Sequence, residues 1–181
     1  PRPRSIRGVT RYAVFLRGVN VGGVNLKMAE VAAALRDAGF DAVRTILASG
    51  NVLLDSPDDA AVVRERAQQA LRAAFSYDAW VLVYDLDTVR AVSAAYPFER
   101  EVAGHHSYVT FVADEQVLDE LAALAAEAGP DEKIARGDGV IYWQVPRQAT
   151  LDSVIGRTMG RKRYKASTTT RNLRTLEKVL R

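Results

Sequence analysis

The sequence contains no cysteine. Disulfides, thiolate nucleophiles and cysteine-ligated metals are therefore excluded, and a reducing compartment suits the chain, so the cytoplasm is its expected location. Histidine is nearly as scarce, His105 and His106 being the only two. They are adjacent, with no third ligand at metal-site spacing, so no metal site is expected and the pair reads as part of a solvated loop. No apolar run approaches the roughly 20 residues of a membrane span, and no membrane association is expected. The opening "PRPRSIRG" is basic but has no apolar stretch after it, unlike a secretory leader. Nucleotide signatures are missing too. Gly18 and Gly23 have P-loop spacing, but Val24-Asn25 stand where Lys-Ser/Thr is required, and no G-x-G-x-x-G occurs. Ser49 follows an alanine rather than sitting in a G-x-S-x-G elbow. No cofactor is expected.

What is present is the composition of a folded protein: 48% apolar and 26% charged residues in 181, enough to bury a core in one large domain or two small ones. The net charge of +3 is mild, but it is unevenly spread. Pro1 to Lys27 holds six basic residues and no acid, and Gln144 to Arg181 holds ten against Asp152 and Glu177. Basic ends on an acidic body point to an anionic small molecule or nucleic acid as partner, or else to solvated tails.

The pattern of elements predicts an α+β fold of two ferredoxin-like (α/β plait) subdomains, antiparallel sheets with helices packed on one face. Arg11–Arg17 is rich in β-formers, and Met28, Val31, Ala32 and Leu35 mark a helix that Gly39 ends. Strands near Val43–Leu47 and Val52–Asp55 flank the turn "ASGN". Ser56-Pro57-Asp58-Asp59 starts a second helix, with Ser56 as its cap, and "WVLVY" is a fourth strand. After residues 1–10, a flexible basic tail, these elements make a first subdomain over 11–84. Residues 85–104 form a connector. A second subdomain over 105–181 has strands at Ser107–Ala113, Glu132–Arg136 and Val140–Val145. It ends in basic helices near Leu151–Met159 and Thr170–Arg181, the latter standing where a fourth strand belongs.

Plait topology converts this pattern into a candidate site. The loop leaving strand one and the turn joining strands two and three lie at the same end of the sheet. Arg17, Asn20 and the Gly22-Gly23 backbone are expected to face Ser49, Gly50 and Asn51, with Lys27 adding positive potential at the first helix. The second element is "TTTRN": Thr169 or Thr170 caps the last helix, leaving Arg171 and Asn172 in its first turn, where an arginine opposes the helix dipole. A bound anion relieves that opposition; so does an ion pair. The run "GRKRYK" (160–165) is either a phosphate grip or a solvated loop.

Four stretches, "YAVFLRGVNVGG", "KMAEVAAALRDAGF", "ASGNVLLDS" and "TTTRNLRTLEKV", together resemble the bacterial family called domain of unknown function 1697. The resemblance runs from Tyr12 to Val179 and implies two plait-like α/β subdomains, in agreement with the pattern above. It implies no reaction. Two departures stand out: "PRQATLDS" replaces a serine–lysine pair common in the family, and Leu173-Arg174 replace an aromatic and a polar residue. The expected function is binding of an anionic or phosphorylated ligand, nucleotide or nucleic acid, at the strand-end face of the first subdomain. The alternatives are an enzyme using that cradle, with Arg17 or Arg171 as electrostatic stabiliser, and a protein–protein interaction module. RNA recognition on the first sheet is disfavoured because "NVLLD" offers no aromatic, whereas the second half has Tyr108, Tyr142 and Trp143.

Overall fold

A continuous apolar run from Tyr12 to Leu16, buried on both faces, makes Thr10–Arg17 the strand β1, with Tyr12, Val14 and Leu16 facing the helices. The computed structural model describes residues 8–17, 25–76 and 78–181. It divides into two compact units, one running to Val89 and including Lys178–Arg181, the other Arg90–Glu177.

In the first unit β1 is followed by α1 (Met28–Asp37), β2 (Asp41–Ile46), β3 (Asn51–Ser56), α2 (Ala60–Ala74) and β4 (Trp80–Asp85). The sheet order is β2-β3-β1-β4, with every pair antiparallel. Both helices show a single apolar stripe. Val31 and Leu35 of α1, and Val63, Ala67 and Leu71 of α2, bury against Val14, Leu16, Val52, Leu54 and Val81. Each valine or leucine among them contributes about 1.5–3 kcal/mol on leaving water. One boundary differs from expectation. Asp59, not Ser56, caps α2, its carboxylate accepting from the Val62 N–H at 3.0 Å. Ser56 instead ends β3, and its hydroxyl accepts from the Asp58 N–H. An ionised acceptor at the cap outcompetes a hydroxyl three residues earlier.

The helix α3 (Leu86–Ala94) precedes the second sheet. That sheet is built from β5 (His105–Val112), β6 (Lys133–Arg136), β7 (Val140–Pro146) and β8 (Thr168–Asn172), with α4 (Glu115–Ala122) and α5 (Val154–Met159) as crossovers and α6 (Leu173–Val179) after it. Its order, β6-β7-β5-β8, is again antiparallel throughout and repeats the order of the first. The two antiparallel four-stranded sheets with helices are the expected α+β fold. Three local expectations are corrected. The second sheet has its fourth strand: Thr168–Asn172 is β8, not the start of a helix, because three consecutive β-branched residues favour the pleated backbone. Their hydroxyls are served there, Thr168 donating to the Tyr164 carbonyl at 2.8 Å and Thr170 meeting Thr110 at 2.8 Å. The preceding helix begins only at Val154, after Ser153 caps it. The third correction is that β5 starts two residues early, so both histidines lie in a strand.

The core of the second unit is organised by a buried polar group. Thr110, in the middle of β5, is fully buried. Its hydroxyl accepts from the Trp143 indole N–H at 2.9 Å and bonds Thr170 on the far neighbour strand. It thereby links β7, β5 and β8 across the sheet. On the opposite face the segment before β5 is tied down by Tyr142, whose hydroxyl donates to the Val92 carbonyl, and by Tyr96, which donates to the Trp143 carbonyl. Thr110→Val is expected to keep the shape but to leave the buried indole N–H without an acceptor, at a cost of about 1–3 kcal/mol. Urea unfolding measures it, and a loss below roughly 0.5 kcal/mol contradicts this role, since that is the scale of an ordinary surface change.

Candidate functional site

At the end of the first sheet, antiparallel pairing sets Phe15 opposite Asn51, and the Leu16 N–H donates to the Gly50 carbonyl at 2.8 Å. The turn joining β2 and β3 therefore does lie beside the exit of β1, bringing Arg17 near Gly50 and Asn51. Asn20, Gly22 and Gly23 lie outside the described residues. Lys27 is exposed and stands at the N-cap of α1, its carbonyl accepting from Glu30 and Val31. Arg17 is half-buried, and loss of water pulls its guanidinium below the usual arginine value.

Asn51 has a structural role that the sequence did not reveal. It is buried, and its amide donates to the Ile46 carbonyl at 2.8 Å and to the Ser49 hydroxyl at 2.9 Å. Those bonds close a turn in which Leu47 has φ 61° and Gly50 φ 88°. Glycine adopts that region freely, whereas leucine is strained there. The Asn51 amide holds the turn against that strain, so its donors and the Ser49 oxygen are engaged within the turn.

The "TTTRN" segment is corrected in the same physical terms. In a strand, alternation sends Thr170 and Asn172 to one face and Arg171 to the other. Thr170 is therefore part of the Thr110 network rather than a helix cap. Arg171 is buried, donating to the Thr169 hydroxyl at 2.7 Å and the Thr170 carbonyl at 2.9 Å, so no helix dipole opposes it. Asn172 takes the capping role, its side-chain oxygen accepting from the Arg174 N–H at 2.9 Å. In the "GRKRYK" run, Arg163 is ion-paired with Glu120 and the Tyr164 hydroxyl donates to the same carboxylate. That part of the run is fastened to α4.

Of the predicted site residues in the second unit, Asn172 alone lines a cleft. Its volume is about 100 Å³, and all its lining residues belong to the second unit. Three segments meet there: the start of β5 with His105 and His106, the residue after β7, Arg147, and the junction of β8 and α6 with Asn172 and Arg174. Arg100 completes the wall. It lies 3.2 Å from the Glu177 carboxylate and donates to the Ser93 carbonyl at 2.7 Å, so its charge is compensated. Arg147 and Arg174 are exposed, and among the described residues their side chains have no hydrogen-bond or ion-pair partner. Burial, and then the charges of Arg147 and Arg174, push His106 below the usual histidine value. His105 sits on the opposite side of the strand, with Nδ1 3.1 Å from the Ala103 carbonyl. Apart from Asn172, the cleft residues were not expected from sequence. They come from separate segments, so no linear motif joins them, and a loop assignment for His105 and His106 hides their place on a strand. Among the described residues no group of three or more acidic, histidine or cysteine side chains could hold a metal. No described helix is long and apolar enough to cross a membrane.

A family model described as "Protein of unknown function (DUF1697)" matches residues 9–142, the same family that the four sequence stretches resemble. The match stops short of "TTTRN" and of Arg147 and Arg174. No curated protein matches the chain. Among solved structures, the conserved bacterial protein SP0830 from Streptococcus pneumoniae is 23% identical, with a TM-score of 0.76 over 94% of this chain and 97% of that one. At that identity the likeness concerns the fold.

Two outcomes test this geometry. Asn51→Ala removes both turn bonds and leaves the Ile46 carbonyl short of a donor, which costs about 1–3 kcal/mol in urea unfolding. An unchanged midpoint would show that the amide does not hold the turn. Because His106 is depressed in the folded state, the stability it contributes is whole above about pH 6.5, the unfolded value. It is lost as the pH falls further, through the folded value. Melting temperatures measured between pH 7 and pH 5 are therefore expected to fall more steeply for the wild type than for His106→Gln. Parallel curves would contradict the shift.

Proposed function

Since the chain belongs to the DUF1697 family, whose description assigns no chemistry, we propose from the site itself that the protein binds a small anionic ligand in the cleft of its second unit. One observation carries this reading: Arg147 and Arg174, both without partners among the described residues, converge beside an imidazole on one concave surface. Uncompensated like charges brought together repel one another, and an anion between them replaces that repulsion with attraction. Guanidinium forks match the oxygens of phosphate or carboxylate, and Asn172 adds an amide to the wall. At about 100 Å³ the cleft has room for several waters or one phosphate-sized group. Enclosing a nucleoside takes a pocket of about 300 Å³ or more. A phosphorylated or carboxylated small molecule, or the terminal phosphate of a larger one, therefore fits better than a stretch of nucleic acid.

A second location is favoured by one observation, the half-buried cation Arg17 beside the Gly50 carbonyl turn at the end of the first sheet. Lys27 and the Ser49–Gly50 turn would belong to that site.

Titration with inorganic phosphate, followed by NMR, separates the two. Arg147→Ala and Arg174→Ala are each expected to weaken phosphate binding roughly ten- to a hundredfold, the effect of losing a hydrogen bond to a charged group. Both side chains are exposed and unpaired among the described residues, so the fold is expected to be unaffected. Loss of binding in Arg17→Ala, with Arg147→Ala unchanged, would move the site to the first unit.

A further inference from the structure

Neither ring nitrogen of His106 has a hydrogen-bond partner among the described residues, although the ring lies on the cleft wall and packs 5.6 Å from Tyr108. An imidazole left with two unused nitrogens is poised either to donate to an incoming group or to take a proton. Its surroundings decide which. The charged and titratable groups around it come from each element that forms the cleft. Arg147 follows β7, Arg174 and Glu177 stand on α6, His105 and Tyr108 share its own strand, and Arg100 and Glu101 lie on the segment before it. Arg100 is paired with Glu177. Three arginines against two glutamates give the cleft one net positive charge. The two unpaired arginines keep a further positive charge away from His106. An anion placed between them reverses the sign of the local field, and the imidazole then gains by becoming a cation.

Resting on the anion-binding reading above, we propose that the cleft binds a tetrahedral dianion, of the phosphomonoester class, with uptake of one proton from water by His106. The proton raises the cleft's net charge from one to two, matching the dianion, and gives His106 a second N–H donor. A monoanionic carboxylate or phosphodiester leaves one of those charges uncompensated. The same coupling makes occupancy sensitive to pH around neutrality, where histidine changes charge.

Sulfate is the probe of choice, because it is a tetrahedral dianion that does not itself titrate between pH 6 and pH 8. The two histidine rings give two sets of NMR signals, assigned with His105→Gln, which lets the wild-type protein be read directly. With saturating sulfate, the His106 titration midpoint is expected to move up. Sulfate affinity is expected to fall with rising pH, approaching about tenfold per unit, the limit for one linked proton. Calorimetry in buffers of different ionisation enthalpy is expected to record uptake of a fraction of a proton near pH 7. In His106→Gln, sulfate binding is expected to be weaker and nearly independent of pH, whereas His105→Gln keeps the dependence. If sulfate binds but the His106 midpoint is the same with and without it, the proton linkage is wrong and the anion-binding reading survives. If neither sulfate nor phosphate perturbs the cleft at any pH from 6 to 8, both fall.

Discussion

In each unit the first strand is what joins the sheet together, because it bridges the pair formed by the second and third strands to the fourth, which has no other neighbour in the sheet. β1 lies between β3 and β4, and β5 between β7 and β8. Antiparallel pairing then fixes which chain ends meet: the beginning of a central strand must lie beside the ends of both neighbours. For β5 this sets His105 opposite Pro146 and Tyr108 opposite Asn172. The residues just past those neighbours, Arg147 and Arg174, are thereby delivered to the histidines. The cleft is a consequence of strand order, and its particular side chains come from the residues immediately beyond the end of each neighbouring strand. The expected site in the first unit lay at the opposite end of the corresponding strand, where β1 exits rather than begins.

Buried hydrogen bonds hold that order in place. The Thr110 hydroxyl is satisfied by β7 and β8 together, so a shift of either strand by one residue would strand a polar group in the core. The Asn51 amide does the equivalent at one end of the first sheet, where it closes a strained turn. Both are polar groups inside apolar surroundings, and both specify geometry as much as they stabilise it.

Most of the architecture is legible in the sequence because it is written in periodicity. The β-formers of "RYAVFLR" and the stripe Met28, Val31, Ala32, Leu35 are local signals, and their order sets the topology. Expectation and structure part where local signals compete. "TTTRN" offers both a threonine cap and a β-branched run, and pairing with β5, some sixty residues earlier in the chain, decides for the strand. Arg171 is an opposed cation only if it opens a helix; on a strand the same residue is buried and bonded to its neighbours. Asn172 is expected to serve a site at the strand-end face of the first subdomain, whereas the cleft it lines lies in the second unit, on residues that its sequence context did not join to it. His106 is not legible, since its significance comes from Arg147 and Arg174, both distant in sequence and brought to it only by the fold.

The two sheets also differ in when they can exist. The first is closed by β4 at Asp85, from residues that leave the ribosome before the second begins. The second must hold β5 unpaired on one side until Thr168–Asn172 arrives after the whole of β6, β7 and α5. Such a wait leaves the hydrogen-bonding edge of a central strand open to wrong partners, the hazard that accompanies non-local pairing in any β topology. The polar side chains of β8 suit a latecomer: Thr168 and Thr169 bond within their own segment, and Thr170 gains Thr110 on docking. Chain growth thus completes the cleft only once β8 and Arg174 have followed β7 and α5, well after the first sheet is closed.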